Sequence, residues 1–168
     1  APTPAPTPVP VVVEETIVQG SMNMTVSDPQ AFIQDPNVTL GITRALANVT
    51  GVPEQYINVT LRVEGRRLLE AESRARFLSA GTVVVEHTIT IPRDAPAAVA
   101  SITGNNIKSS VTSVTPVQMT TLVENEVQAV TGAGVVASYS LTVTDIATPT
   151  VTEVTSMPTP APTPAPVP

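Results

Sequence analysis

The stretch that decides the fold is VQGSMNMTV, residues 18–26, in which apolar and polar positions alternate. Val18, Met22 and Met24 would share one face with Gly20, whereas Asn23 would lie on the opposite face with the other polar residues. A period of two is typical of a β-strand that buries one face. We therefore expect this stretch to lie in a sheet that covers a core.

Helix signals follow this strand. Asp35-Pro36 combines a capping residue with proline at the first helical position, and Gly51 provides the end, so a helix is predicted between them. Its polar side would carry Asn37, Gly41, Arg44 and Asn48, opposite an apolar stripe. The same start signal recurs at Thr115-Pro116, where a later helix is predicted to run to Gly132.

Three further strands are predicted, over residues 56–63, 82–91 and 135–143. Between the second of these and the later helix, Asp94 would cap a short helix that Gly104 stops. Residues 105–115 are expected to have little structure of their own.

The predicted order is strand, helix, strand, strand, helix, strand. This is the split β-α-β unit used twice, which is the ferredoxin-like α+β plan with a four-stranded antiparallel sheet. Such a sheet buries one face under its helices and leaves the other exposed unless a partner covers it. We expect residues 11–147 to form one domain of this class.

Proline occupies every second position at both ends, in APTPAPTPVP (residues 1–10) and PTPAPTPAPVP (residues 158–168). Proline fixes φ at about −65° and removes a backbone donor, so neither segment can enter a sheet interior or continue a helix. We expect polyproline II linkers at residues 1–10 and within residues 148–168, which begin with an extended Thr/Val segment. Because the two ends read alike, the chain is expected to be one period of a longer tandem array.

Composition excludes several classes of function. The chain has a net charge of −6, a single lysine (Lys108) and no cysteine. Nucleic-acid phosphates are bound by clustered Lys and Arg, so no nucleic-acid partner is expected. No apolar run approaches the roughly 20 residues of a membrane helix, so no membrane span is expected. Most basic residues lie within 62–76 among glutamates, which favours a solvated loop over a processing site at Arg66-Arg67.

Four Asn-x-Thr sequons carry the strongest functional signal, and they begin at Asn23, Asn37, Asn48 and Asn58. Each asparagine falls on the predicted outward side of its strand or helix, as a bulky glycan requires. Most polar residues lie on the surface in any case, so the outward position of these asparagines is weak evidence for glycosylation by itself. Threonine at the third position of all four sequons strengthens that evidence. We expect N-glycans at these positions, and therefore passage through the secretory pathway.

The alternation of Ala-Pro and Thr-Pro at both ends resembles the hydroxyproline-rich glycoproteins of plant and algal walls, the arabinogalactan and extensin class. In that class the prolines of such repeats are hydroxylated and carry O-glycans. The resemblance implies hydroxylation or O-glycosylation here, whereas a plain stiff linker is the alternative. The residues concerned are Pro2, Thr3, Pro4, Pro6, Thr7, Pro8, Pro10, Pro158, Thr159, Pro160, Pro162, Thr163, Pro164, Pro166 and Pro168.

The segment GTVVV, residues 81–85, resembles the Gly-Ser-Val-Val-Val turn of the SEA modules of membrane mucins. Those modules share the strand order predicted above, so the resemblance implies the same fold. In them the serine hydroxyl attacks the preceding peptide bond and splits the chain. Thr82 retains a hydroxyl at that position, but we expect the Gly81–Thr82 bond to stay intact.

No set of residues indicates catalysis. His87 is the only histidine, and it shares the parity of the core residues of its predicted strand. A neutral, hydrogen-bonded core histidine is favoured over a base or a metal ligand, and a zinc site without cysteine or a second histidine is not expected. We expect no cofactor, no metal and no enzymatic activity.

These features predict a secreted structural unit of a glycosylated fibril or cell wall. The Val- and Thr-rich stretches 11–17 and 148–156 have strand propensity beyond the needs of a four-stranded sheet. They are expected to add to the sheet edge of a neighbouring copy and to join copies head to tail. Alternatively, both stretches fold back onto their own sheet. The alternative function is an adhesin whose exposed sheet face recognises sugar or protein.

Overall fold

The computed structural model of the chain describes residues 12–64, 80–132 and 138–156, with their side chains from Glu15 to Thr155. Both Pro-rich ends, the loop around Arg66-Arg67 and the predicted start of the last strand at Val135 lie outside these ranges. The polyproline II conformation of the ends therefore stays a prediction.

The described residues form an open antiparallel sheet of five strands with five helices, so the α+β class is confirmed. In chain order the elements are β1 (Val12–Val26), α1 (Pro29–Gln34), α2 (Pro36–Thr50), a short 3-10 turn (Glu54–Tyr56), β2 (Ile57–Val63), β3 (Gly81–Pro92), α3 (Ala97–Ala100), α4 (Gly104–Ser113), α5 (Pro116–Thr131), β4 (Thr142–Ile146) and β5 (Thr150–Ser156).

β1 is the strand on which the sheet is built. The order is β2-β3-β1-β4, and each neighbouring pair is antiparallel. One edge of β1 pairs with β3 along residues 15–26. The other edge is shared, because β4 pairs with residues 22–25 and β5 with residues 12–19. The alternating stretch 18–26 thus lies at the centre of the sheet.

One face of the sheet and the inner sides of the helices form the core. Val18, Met22 and Met24 of β1 are buried there, as their spacing predicted. The helices contribute Ile42, Ala45 and Leu46 of α2, Ile107 of α4, and Met119, Val123 and Val127 of α5. Aliphatic side chains and methionine therefore fill the interior, and Phe32 is its one fully buried aromatic residue among those described.

The predicted boundaries of the two long helices are confirmed. The Asp35 carboxylate accepts a hydrogen bond from the backbone N–H of Asn37, and α2 ends at Gly51, whose φ is 72°. That left-handed conformation is one that glycine adopts without strain. α5 starts with a reciprocal capping box between Thr115 and Gln118.

Gly41 does not lie on a polar side of α2, and this prediction is wrong. It is buried against α5, where a Cβ atom would lie 2.5 Å from Cγ2 and 2.7 Å from Cα of Val127. The missing side chain allows the two helix backbones to approach each other closely. A hydropathy pattern treats glycine as neutral and does not show such a contact.

The short helix after β3 starts differently from the prediction. Asp94 is exposed and does not cap it; α3 begins at Ala97, directly after Pro96. Val99 is its one buried residue. Pro96 is the N-cap residue, and no side chain among the described residues caps this helix.

Residues 104–113 form a regular helix, so the prediction of weak structure there is wrong. Gly104 begins α4 instead of ending a helix, and the Thr103 hydroxyl accepts a hydrogen bond from the N–H of Asn106. Ile107 and Val111, one turn apart, bury the inner side of the helix. Two apolar residues among polar neighbours gave too little periodicity for a prediction, and packing supplies the rest of the stability.

The last predicted strand begins later than expected. Leu141 and Val143 are buried as predicted, but β4 starts only at Thr142. Ser140, with a φ of 44°, separates β4 from Tyr139. The Tyr139 ring is half-buried and packs edge-on against Phe32, with ring centroids 5.3 Å apart.

The segment after β4 belongs to the same sheet. β5 pairs with residues 12–19 of β1, so the expectation that the stretches 11–17 and 148–156 are spare is wrong for their described residues, which fold back onto the chain's own sheet. Because β4 covers only part of β1, the remaining backbone groups of this edge need a partner. Val151 of β5 packs against α4 at Gly104. A Cβ atom at Gly104 would lie 2.4 Å from Cγ1 of Val151.

Candidate functional site: glycan acceptors and the open sheet face

Two of the sequon asparagines lie on α2. Asn37 is in its first turn, Asn48 is near its end, and both are exposed. Eleven residues correspond to slightly more than three helical turns, so the two side chains point in nearly the same direction, about 16 Å apart along the axis. The predicted outward position is confirmed for both.

The other two sequon asparagines lie on the side of the sheet that faces away from the helices. Asn58 is on β2, directly after the buried Ile57, and is exposed. Asn23 is on β1 between Val84 and Asp145 of the neighbouring strands, and it is half-buried. It points away from the core as predicted, but neighbouring strands on both sides limit its exposure.

We call this side of the sheet the open face, because its side chains are half-buried or exposed and the described helices pack on the opposite side. Threonine is its most frequent residue, and its apolar side chains are Ile17, Val84 and Val154. It comprises Glu15, Ile17, Gln19, Ser21, Asn23, Thr25, Asn58, Thr60, Arg62, Thr82, Val84, Glu86, Thr88, Thr90, Thr142, Asp145, Thr150, Thr152 and Val154. Such a surface suits solvent or carbohydrate and not an apolar protein partner.

One ion pair joins β2 and β3 on the open face. Arg62 of β2 donates a hydrogen bond to the Glu86 carboxylate of β3 and forms an ion pair with it. Both side chains are about half exposed, so the pair adds little to stability. It leaves no charged cluster at this point that would attract a charged ligand.

A shallow cavity of about 460 Å³ lies where β1, β3 and the β4–β5 connection meet. Its lining includes Gln19, Ser21, Thr88, Thr148 and Thr150. Its polar groups are mainly hydroxyls and amides, and no Phe, Tyr or Trp ring lines it. The cavity arises because β4 and β5 are separate strands, which leaves Gly20 and Ser21 opposite the connection.

His87 also borders this cavity, and its predicted environment is only partly right. It is 2 % exposed, and burial lowers its pKa from 6.5 to about 4, so it is neutral as expected. However, neither ring nitrogen has a hydrogen-bond partner among the described residues, so the expectation of a hydrogen-bonded histidine is wrong. The ring lies over Gly20, where a side chain would otherwise be.

Gly81 and Thr82 lie at the start of β3 and not in a separate turn. They pair with Val26 and Thr25 of β1, and the Thr82 carbonyl accepts a hydrogen bond from the N–H of Glu64. Gly81 is not among the described glycines with positive φ. The bond between Gly81 and Thr82 therefore lies in a regular antiparallel ladder.

The tail prolines and threonines expected to be modified all lie outside the described residues, so their modification stays a prediction. Within the described ranges, no three His, Asp or Glu side chains are grouped as metal ligands. None of the helices there is both long and apolar enough to cross a membrane.

Comparison of the chain with known protein families, with curated proteins and with solved structures finds no match. The function is therefore inferred from the chain's own residues. The sequence did not reveal the contact between Val151 and Gly104, which holds β5 against α4. The alternation of threonine with Val151 and its neighbours was a signal for a strand, but it did not show which sheet the strand joins.

Proposed function

We propose that the chain is a structural unit of an extracellular, glycosylated fibril or cell-wall glycoprotein. The observation that carries this proposal is the position of the sequons: Asn37, Asn48 and Asn58 are exposed, and Asn23 faces outward on the open face. N-glycans at these positions would cover two separate surfaces of one small domain. Secretion follows from N-glycosylation, and the proposal includes no catalytic role.

The architecture we propose is a ferredoxin-like, SEA-like domain extended by one strand. The order β2-β3-β1-β4 supports it, as do the connections, since α2 lies between β1 and β2 and α5 precedes β4. β5 is an addition to that plan. The resemblance to SEA modules concerns the fold and not the cleavage reaction.

Assembly of copies, which we also propose, would use the Pro-rich ends. The edge of β1 that a neighbouring strand could have joined is filled by β5 of the same chain. Stiff, modified linkers such as residues 1–10 and 158–168 can join successive domains without strand exchange. The proposed partners are thus further copies of the chain, together with its covalent glycans.

Mass spectrometry and electron microscopy of native material test this proposal together. Hydroxyproline or O-glycan masses on the tail peptides, with domains at regular spacing along a particle, are the expected result. Unmodified tail peptides would contradict the resemblance to wall glycoproteins. A monodisperse single domain with both tails intact would contradict assembly.

One observation favours the alternative function of a sugar-binding adhesin, namely the polar cavity on the sheet. Gln19, Ser21 and Thr88 there present groups that can hydrogen-bond to sugar hydroxyls. The cavity lacks the aromatic platform on which sugar rings usually stack. A glycan array probed with deglycosylated protein separates the two functions, because specific binding that Ser21→Ala and Thr88→Ala abolish would favour the adhesin.

A further inference from the structure

The described chain begins and ends at the same end of the sheet. Val12 and Ser156 are opposite each other in the β1–β5 pair. Opposed Cα atoms of an antiparallel pair are about 4.5–5.5 Å apart. The chain continues from these two points into residues 1–11 and 157–168. A pull on those two ends therefore loads the β1–β5 hydrogen bonds one after another and not all together.

β5 is the more weakly held of the two strands. Residues 15–19 of β1 are paired on both edges, with β3 on one side and β5 on the other. Among the described strands, β5 pairs with β1 alone. When the two strands are pulled apart, β5 has one row of hydrogen bonds to lose, whereas β1 remains bound to β3.

We propose that β5 is a strap that peels from β1 under tension before the rest of the sheet opens. Peeling would start at Ser156 and stop at the connection to β4. There the N–H of Ala147 donates to the carbonyl of Ser21 at 2.9 Å, and Pro149 is buried beside Gly20. The inference concerns the single chain and does not depend on glycosylation or assembly.

The side chains of the strap resist peeling mainly at its inner end. Thr152, Val154 and Thr155 are exposed. Val151 instead fills the space that Gly104 leaves open on α4. Resistance therefore depends on the backbone hydrogen bonds and on this one apolar contact.

The change in length distinguishes peeling from complete unfolding. Seven freed residues extend to about 24 Å, and Thr150 remains anchored a similar distance along β1 from Val12. The distance between Val12 and Ser156 would grow by about 40 Å. Unfolding of residues 12–156 as a whole would add roughly 500 Å. The two events differ about tenfold in size.

Single-molecule force spectroscopy on the full chain, held by its two ends, tests the proposal. The expected record shows an early event of about 40 Å, followed at higher force by the main unfolding event. Val151→Ala should lower the force of the early event and leave the main event in place. One event only, with no early step, would overturn the proposal.

A reversible crosslink provides the matched control. Glu15 and Val154 are opposite each other, both side chains are accessible, and the chain has no other cysteine. Their Cα separation falls within the range of a disulfide. The oxidised Glu15→Cys/Val154→Cys variant should lose the early event and regain it on reduction, whereas Glu15→Cys alone should keep it. An early event that persists in the oxidised variant would show that it does not come from β5.

Discussion

Gly20 and His87 are opposite each other in the β1–β3 pair, and the imidazole ring occupies the space over the glycine. A Cβ atom at Gly20 would lie 2.6 Å from Nε2 of His87, closer than packed atoms allow. The buried imidazole ring of His87 therefore fits on this strand pair because the residue opposite it is glycine.

Gly20→Ala should destabilise the domain by about 1–3 kcal/mol, because the ring or the strand must shift. Chemical denaturation measures this change, with Gln19→Ala as the exposed control, expected within about 0.5 kcal/mol of the parent. The obstructing atoms belong to a side chain, so adding His87→Ala should recover part of the loss. If Gly20→Ala were as stable as the parent protein, the close approach of the His87 ring to Gly20 would be contradicted.

The domain should lose stability as the pH falls from 6.5 towards 4. Burial lowers the pKa of His87 to about 4, so between these values the unfolded chain binds a proton that the folded chain does not. The stabilisation is complete above pH 6.5 and is lost progressively below it, by about 3 kcal/mol in total.

His87→Leu removes this contribution, so the difference between the two unfolding free energies should vary with pH over that interval. Carboxylates titrate in both proteins and cancel in the comparison. A difference that is independent of pH would show that His87 is not buried as a neutral ring.

Gly41→Ala should weaken the packing of α2 on α5 by about 1–3 kcal/mol, despite the better helix propensity of alanine. The added Cβ would lie 2.7 Å from Cα and 2.8 Å from N of Val127, which are backbone atoms. Val127→Ala should therefore fail to rescue it. Thermal unfolding with Gln128→Ala on α5 as the exposed control tests this, and rescue by Val127→Ala would contradict the backbone contact.

The Gly81–Thr82 bond should stay intact in the native protein and also in Thr82→Ser, because both residues lie in a regular antiparallel ladder. Denaturing electrophoresis of each protein checks this prediction. Two fragments with ends at Gly81 and Thr82 would show that the resemblance to SEA modules extends from the fold to the cleavage reaction.

The sequence predicted the parts of the fold in which local signals and packing agree. Alternation at residues 18–26 identified the central strand, and Asp35-Pro36 and Thr115-Pro116 identified the helix starts. Tertiary contacts determined the remainder. Gly41 and Gly104 are close-packed because of what lies opposite them, and no local pattern contains that information.

The candidate site was predictable to a similar extent. The outward direction of all four asparagines could be predicted from their positions in the helical or strand repeat, because that repeat depends on local geometry. The half-buried position of Asn23 depends on strands on either side of it, which come from distant parts of the chain. The lack of hydrogen-bond partners for His87 among the described residues likewise depends on side chains from distant parts of the chain.

Mapping of N-glycan occupancy in native protein tests the central claim most directly. Glycosidase treatment in heavy-oxygen water converts each glycosylated asparagine to labelled aspartate, which peptide mass spectrometry locates. The account predicts labelled aspartate at positions 23, 37, 48 and 58. Two or more of these asparagines found unmodified would contradict it.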